Sequence, residues 1–226
     1  MRSAWFNPWF CIPILILLNI GLIFNYCLPY GNEIIYFNSW RTEPWNSVFR
    51  FFTHLGEGWA YTFFAVFMVL AGRYRYALLI VVAGLITLPV QYALKDVIAI
   101  DRPLTYFEKQ HRIQEVTRVT GVILNSGQTS FPSGHTLGAF ALYSVLAMIF
   151  AEFKPRLGVL FALLGACVAI SRIFLVQHFL EDVLSGGLLG LLVGEFVGWI
   201  SRNPAFSRAS WLDGNLLKIH LFNKEV

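Results

Sequence analysis

Six separated apolar runs constrain this chain more than any other feature. They lie at about Trp9–Leu28, Gly58–Ala71, Tyr76–Leu94, His135–Phe150, Leu157–Ile173 and Val183–Ile200. A helix of roughly 20 mainly apolar residues crosses the hydrocarbon core of a bilayer. The second and fourth runs are short, so their ends must include polar residues at the interface. Composition agrees: 57% of the residues are hydrophobic and 13% charged, whereas a soluble domain carries about 25% charged residues. A chain this apolar either occupies a bilayer or aggregates. The expected fold class is therefore all-α, a polytopic membrane protein with six transmembrane helices in one bundle. Residues 1–226 make one domain, with a core over about 53–200 and a tail over 201–226.

The connections orient the bundle. The turns Gly72–Arg75 and Ala151–Arg156 are short and basic, carrying Arg73, Arg75, Lys154 and Arg156. Excess Lys and Arg in short loops marks the cytoplasmic side. Both termini then lie there too, with Arg2, Arg202, Arg208, Lys218 and Lys224. The connections Pro29–Glu57 and Lys95–Gly134, and a bend between Arg172 and Asp182, face outward. Arg2 precedes the first run, but the run is long for a signal peptide and no small-residue cleavage site follows, so an uncleaved first helix is expected.

Several features carry little chemistry. Cys11, Cys27 and Cys167 lie inside apolar stretches with no CxxC pair, which argues against a disulfide framework or a zinc site. The net charge of +4 is dispersed, with no basic block of the nucleic-acid-binding kind. Gly186, Gly190, Gly194 and Gly198 fall on one face of the last helix, a pattern that lets membrane helices approach closely. Glu195 lies off that stripe, either as an intramembrane functional carboxylate or as a snorkelling or paired residue. The tail, with Trp211, Leu212, Leu216, Leu217, Ile219 and Leu221, reads equally as a surface amphipathic helix or as a loose end.

Three polar clusters interrupt the apolar pattern, all on the outward side. The first runs from Lys95 to Pro103. Lys95 and Arg102 are seven positions apart, two turns if helical, so both can face one point; alone, the pair is equally an interfacial anchor. The second, Ser130-Phe131-Pro132-Ser133-Gly134-His135-Thr136, opens the fourth run. Glycine allows close backbone approach and a helix N-terminus suits a phosphate, although Pro-Ser-Gly is also an ordinary turn and cap. The third holds Ser171, Arg172, His178 and Asp182. His178 and Asp182 are four apart, the spacing of neighbours on one helical face, and a carboxylate on one imidazole nitrogen fixes the tautomer of the other. Arg172 offers a permanently charged, forked donor set. His135 and Arg172 are separated by room for two spans and a turn, so the third cluster returns beside the second. So many ionisable groups at a bilayer interface would be costly without a function.

Taken together, Lys95…Arg102-Pro103, Pro132-Ser133-Gly134-His135 and Ser171-Arg172…His178…Asp182 resemble the three signature motifs of the type-2 phosphatidic acid phosphatase superfamily, the lipid phosphate phosphatases. The resemblance spans about Thr53 to Gly190. It implies that His178 is the nucleophile, forming a phosphohistidine, that Asp182 orients it, and that His135 protonates the leaving oxygen. It implies phosphate binding by Lys95, Arg102, Ser133, Gly134 and Arg172, with no metal and no cofactor. The expected partners are a phosphorylated membrane lipid and the bilayer, with no nucleic acid. Candidate substrates are undecaprenyl pyrophosphate, phosphatidylglycerophosphate, phosphatidic acid and the phosphates of lipid A.

The expected setting is a bacterial inner membrane, with the active site facing the periplasm. A lipid-to-lipid phosphotransferase would use the same site with a different acceptor. A non-catalytic lipid transporter fits less well, because no expected catalytic residue is missing, and a haloperoxidase is disfavoured by the membrane context. His54 contacts either a headgroup or a local hydrogen-bond partner. The stretch Tyr106–Arg118 is by default a solvated loop, with headgroup contact as the functional alternative.

Overall fold

The computed structural model describes residues 7–151, 153–209 and 212. Regular structure in this part is helical: α1 (Pro8–Cys27), α2 (Asn32–Asn38), α3 (Glu43–His54), α4 (Gly58–Leu70), α5 (Tyr74–Ile98), α6 (Pro103–Lys109), a 3-10 turn at Ile113–Glu115, α7 (Gly134–Phe150), α8 (Leu157–Phe174), α9 (Leu180–Arg202) and α10 (Pro204–Ser207). Local chemistry sets several of the starts. Asn7 caps α1 by accepting from the Trp9 N–H, and prolines stand in the first turn of α1, α3, α6 and α10, where their missing N–H costs nothing.

The six apolar runs correspond to α1, α4, α5, α7, α8 and α9. Four stretches are long and apolar enough to cross a membrane: Pro8–Cys27, Tyr74–Lys109, Leu157–Phe174 and Leu180–Arg202; α4 and α7 are apolar but shorter. Two boundaries differ from expectation. The connection over 29–57 holds two helices, α2 and α3, rather than a plain loop. Helix α5 continues to Ile98, so Lys95 sits on its last turn rather than beyond it, and the chain leaves through Ala99 at φ +46°.

Helix α7 is the centre of the bundle. Thirteen of its 17 residues are buried, which explains why so short a helix can sit at membrane depth: protein rather than lipid surrounds it. The helices around it turn Ile16, Ile23, Phe63, Leu85, Leu160, Leu192 and Phe196 outward. Such an apolar exterior is stable in lipid and a liability in water.

The glycine stripe packs α9 onto α7 within the one chain. A Cβ on Gly186 would lie 2.6 Å from the Ser133 carbonyl oxygen, and one on Gly190 would lie 2.5 Å from that of Leu137. Gly194 faces the Ser144 side chain in the same way. Glu195 lies off the stripe and is partly exposed.

The bundle has two chemically distinct ends. At one, the Asn7 amide donates to the carbonyls of Ala147 and Pro155, both at 3.0 Å, and the Arg75 guanidinium donates to those of Phe206 and Ala209. The start of α1, both short basic turns and the end of α9 therefore meet there. The polar clusters occupy the other end. The expectation of a surface helix within the tail falls mostly on residues outside the described part.

Gly190→Ala should cost about 1–3 kcal/mol, because a methyl group would be driven into backbone. Gly58→Ala should be nearly neutral, since nothing lies within 4 Å of a Cβ there. Thermal denaturation of the detergent-solubilised variants checks both.

Candidate active site

The floor of the site is built by ends of helices. Ser133 caps α7, and its N–H donates to the Asp182 carbonyl at 3.0 Å, which fastens the start of α7 to the start of α9. Its hydroxyl shares a 2.9 Å hydrogen bond with that of Thr136. Gly134 follows at the first helical position. A Cβ there would collide with the Gln91 side chain and lie 3.8 Å from Lys95 Nζ. Glycine thus leaves the Gln91 amide its place beside this helix start, with Lys95 at ordinary contact distance.

Lys95 and Arg102 reach the site from different elements. Helix α5 ends at Ile98, the backbone reverses at Ala99, and Arg102 is the extended cap residue of α6. The two-turn helical argument therefore does not describe their geometry. A turn brings Arg102 back: its N–H donates to the Gly127 carbonyl at 2.7 Å. Its guanidinium is buried, donating from Nη1 to the Gln177 carbonyl at 2.9 Å and lying 3.3 Å from His178 Nε2. Its Nε donates to Thr129 Oγ1 at 3.3 Å.

Arg172 occupies the last turn of α8. Its Nη1 donates to Thr53 Oγ1, whereas its Nε is buried without a partner. Its carbonyl accepts from the N–H groups of Gln177 and His178, at 2.9 and 3.2 Å, closing a tight bend in which Val176 adopts φ +57°.

His178 sits in that bend and Asp182 in the first turn of α9, so the two do not share a helical face as their spacing suggested. Asp182 Oδ2 accepts from Phe179 N–H at 2.9 Å and from the Ser130 hydroxyl at 2.5 Å. His178 Nδ1 lies 3.4 Å from the same oxygen, without an aligned hydrogen bond. Catalytic contacts are commonly loose in unliganded enzymes and tighten with substrate. Asp182 Oδ1 is also buried and unpartnered.

Electrostatics favour an anion here. His178 and Asp182 are 2% and 0% exposed, beneath the positive side chains of Lys95, Arg102 and Arg172. Burial holds the His178 imidazole well below its ordinary pKa, and the charges of Arg102, Arg172 and Lys95 push it the same way. The ring is therefore neutral, with one nitrogen bearing a proton and the other available as a base. His135 completes the group within electrostatic range of Arg172, His178, Lys95 and Arg102. Its side chain is 33% exposed, so it stands at the mouth, above the buried floor.

All eight residues singled out from sequence are thus brought to one end of the bundle. Their supports are less legible. Gln91, Thr53 and Glu57 belong to no motif. Ser130 lies within the second cluster, but nothing in its spacing points to Asp182. Glu33 Oε1 accepts from the Leu180 N–H at 3.1 Å, satisfying the start of α9, and Arg41 Nη2 donates to the Phe174 carbonyl at the end of α8 at 2.6 Å. His54 has a local partner, Glu57 Oε1, at 2.9 Å. The stretch Tyr106–Arg118 is more ordered than a solvated loop: Phe107 is fully buried, and Arg112 pairs with Glu115 at 2.7 Å.

The chain is similar to known membrane phosphatases. Phosphatidylglycerophosphatase B of Bacillus subtilis is 31% identical over 159 residues, covering 67% of this chain and 73% of that protein. Lipid A 1-phosphatase of Porphyromonas gingivalis is 39% identical over 72 residues, 32% of this chain but only 16% of the relative. Among solved structures, Aquifex aeolicus LpxE superposes with a TM-score of 0.61 at 24% identity, covering 73% of this chain and 91% of the other. The transmembrane PAP2-type phosphatidylglycerolphosphate phosphatase of Bacillus subtilis superposes with a TM-score of 0.58 at 23% identity, covering 85% and 96%. The family model of the PAP2 superfamily matches residues 72–204, the stretch that holds all three clusters, and the chain belongs to that superfamily.

Proposed function

We propose that this protein is an integral membrane phosphatase that hydrolyses a lipid phosphate through a phosphohistidine on His178. One observation carries the reading: a buried, neutral imidazole with Arg102 Nη1 3.3 Å from Nε2 and a carboxylate 3.4 Å from Nδ1. The first contact marks where a phosphate oxygen would be held. The second orients the ring so that Nε2 faces phosphorus.

The steps follow from the geometry. Lys95, Arg102, Arg172 and the N-terminus of α7 at Ser133 and Gly134 hold the phosphate oxygens. His178 Nε2 attacks phosphorus while Asp182 stabilises the charge that develops on the ring. His135 gives a proton to the leaving oxygen, takes one back from a water, and that water cleaves the phosphohistidine. The fixed cations neutralise the transition state. No step calls for a metal, and among the described residues no group of three or more His, Cys, Asp and Glu is arranged to hold one.

The bundle crosses the bilayer six times in this reading, with α4 and α7 as the short spans. The basic turns and both termini are cytoplasmic, and the site opens to the periplasm of a bacterial inner membrane. The relatives' names support phosphatidylglycerophosphate and lipid A phosphates among the candidate lipids.

His178→Ala should abolish phosphate release, by at least about 1,000-fold, while leaving expression and folding nearly intact. Asp182→Asn should cost less in kcat than loss of the nucleophile. Steady-state release of inorganic phosphate from phosphatidic acid and phosphatidylglycerophosphate measures both, and retained turnover in His178→Ala would refute the mechanism.

Activity should survive EDTA, and vanadate should inhibit as a mimic of the five-coordinate transition state. A strict requirement for magnesium in the same assay would overturn the metal-free route.

The depressed pKa of His178 also predicts a pH effect. Below about pH 6.5 the unfolded chain takes up a proton that the folded imidazole refuses, so stability falls as pH falls, by up to about 1.4 kcal/mol per pH unit for this group. His178→Asn should flatten the decline in apparent Tm between about pH 6.5 and 5.

A further inference from the structure

The corner between α3 and α4 brings a carboxylate to the mouth of the site. Glu57 Oε1 lies 3.7 Å from His135 Nε2 and accepts from, or pairs with, His54 Nδ1 at 2.9 Å. The corner that carries Glu57 is held to α7 through its backbone. A Cβ on Gly56 would lie 2.8 Å from the His135 carbonyl oxygen, so only glycine allows this corner to rest on the first turn of α7. The Tyr143 hydroxyl donates to the Leu55 carbonyl at 3.0 Å and that of Tyr61 to the Gly138 carbonyl at 2.7 Å. Together they pin both sides of the corner to α7. The floor of the site is cationic. Its exposed rim, where the side chains of Glu57 and His54 are 37% and 59% exposed, carries this acid.

We infer that Glu57 is a specificity-determining residue that selects phosphomonoesters of neutral alcohols over pyrophosphates. The inference rests on the phosphatase reading above. In that reaction the bond between phosphorus and the leaving oxygen breaks, and the proton of His135 passes to that oxygen. The leaving oxygen must then be about 3 Å from the ring nitrogen. With Glu57 3.7 Å from His135 Nε2, a leaving oxygen at Nε2 is within about 7 Å of the carboxylate. In a phosphomonoester that oxygen is attached to carbon, and an alcohol departs. In a pyrophosphate it is attached to a second phosphorus, and the departing group is itself a phosphate with negative oxygens directed at the same rim. Like charges at this range disfavour binding and departure.

The test compares two soluble probes with one tail, farnesyl phosphate and farnesyl pyrophosphate, so that only the leaving group differs. The purified detergent-solubilised protein should show the larger kcat/KM for the monophosphate. Glu57→Gln should reduce the monophosphate-to-pyrophosphate ratio about tenfold, with the pyrophosphate kcat/KM rising. Glu57→Asp should keep most of the preference. A wild type faster on pyrophosphate overturns the inference. So does a Glu57→Gln variant in which both substrates fall together at constant ratio, which is the mark of a merely structural residue. Absence of phosphate release from either probe and from phosphatidic acid would instead overturn the phosphatase reading itself.

Discussion

The Asp182 carboxylate is the contact on which the rest of the site depends. Through one oxygen it receives the Phe179 N–H and the Ser130 hydroxyl, with His178 Nδ1 3.4 Å away. Through its backbone carbonyl it receives the Ser133 N–H. One residue thus caps α9, holds the loop before α7, and stands beside the ring of the proposed nucleophile. Its complete burial makes each of these contacts costly to lose, because a buried carboxylate left short of donors has no water to fall back on.

Around this centre, helix ends do work that helix middles cannot. The start of α7 offers N–H groups, and the end of α8 supplies Arg172 together with the carbonyl that closes the bend at His178. The start of α9 holds Asp182. Apolar packing of α7, α8 and α9 brings these termini together, and the glycines of α9 set how close α9 comes. The cations of Lys95, Arg102 and Arg172 then crowd one end of the bundle, a repulsion that a bound phosphate would relieve in the proposed reaction.

The parts of this arrangement that were legible from sequence follow from strong, local signals. Long apolar runs marked the main helices, and proline, glycine and charge marked their ends. The glycine stripe of α9 was readable because a four-residue period has one geometric meaning in a helix. The failures have physical causes too. Lys95 and Arg102 were given a common helix, but Ala99 turns left-handed, so pairing of the 100–102 loop with Gly127 and Ser130 overrides the period. His178 and Asp182 were given one helical face, yet the α9 cap falls between them. Gln91, Thr53 and Glu57 carried no readable signal, since the site residues they meet, Gly134, Arg172 and His135, lie 43, 119 and 78 positions away and no local pattern encodes such contacts. Helices α2 and α3 were hidden because, at 7 and 12 residues, they are too short to read as spans, and their apolar residues pack on the distant α8.

Burial of α7 along its length has a consequence for where the protein yields to its surroundings. Bilayers differ in thickness, and a helix in contact with lipid answers a mismatch by tilting or by stretching the nearby lipid. That deformation falls on the outer helices α1, α4, α5, α8 and α9. The helix whose first turn carries Ser133, Gly134 and His135 meets almost no lipid, so a strain applied at the perimeter reaches it only through packed side chains. The fold places its most exacting geometry on the element that the membrane can least disturb.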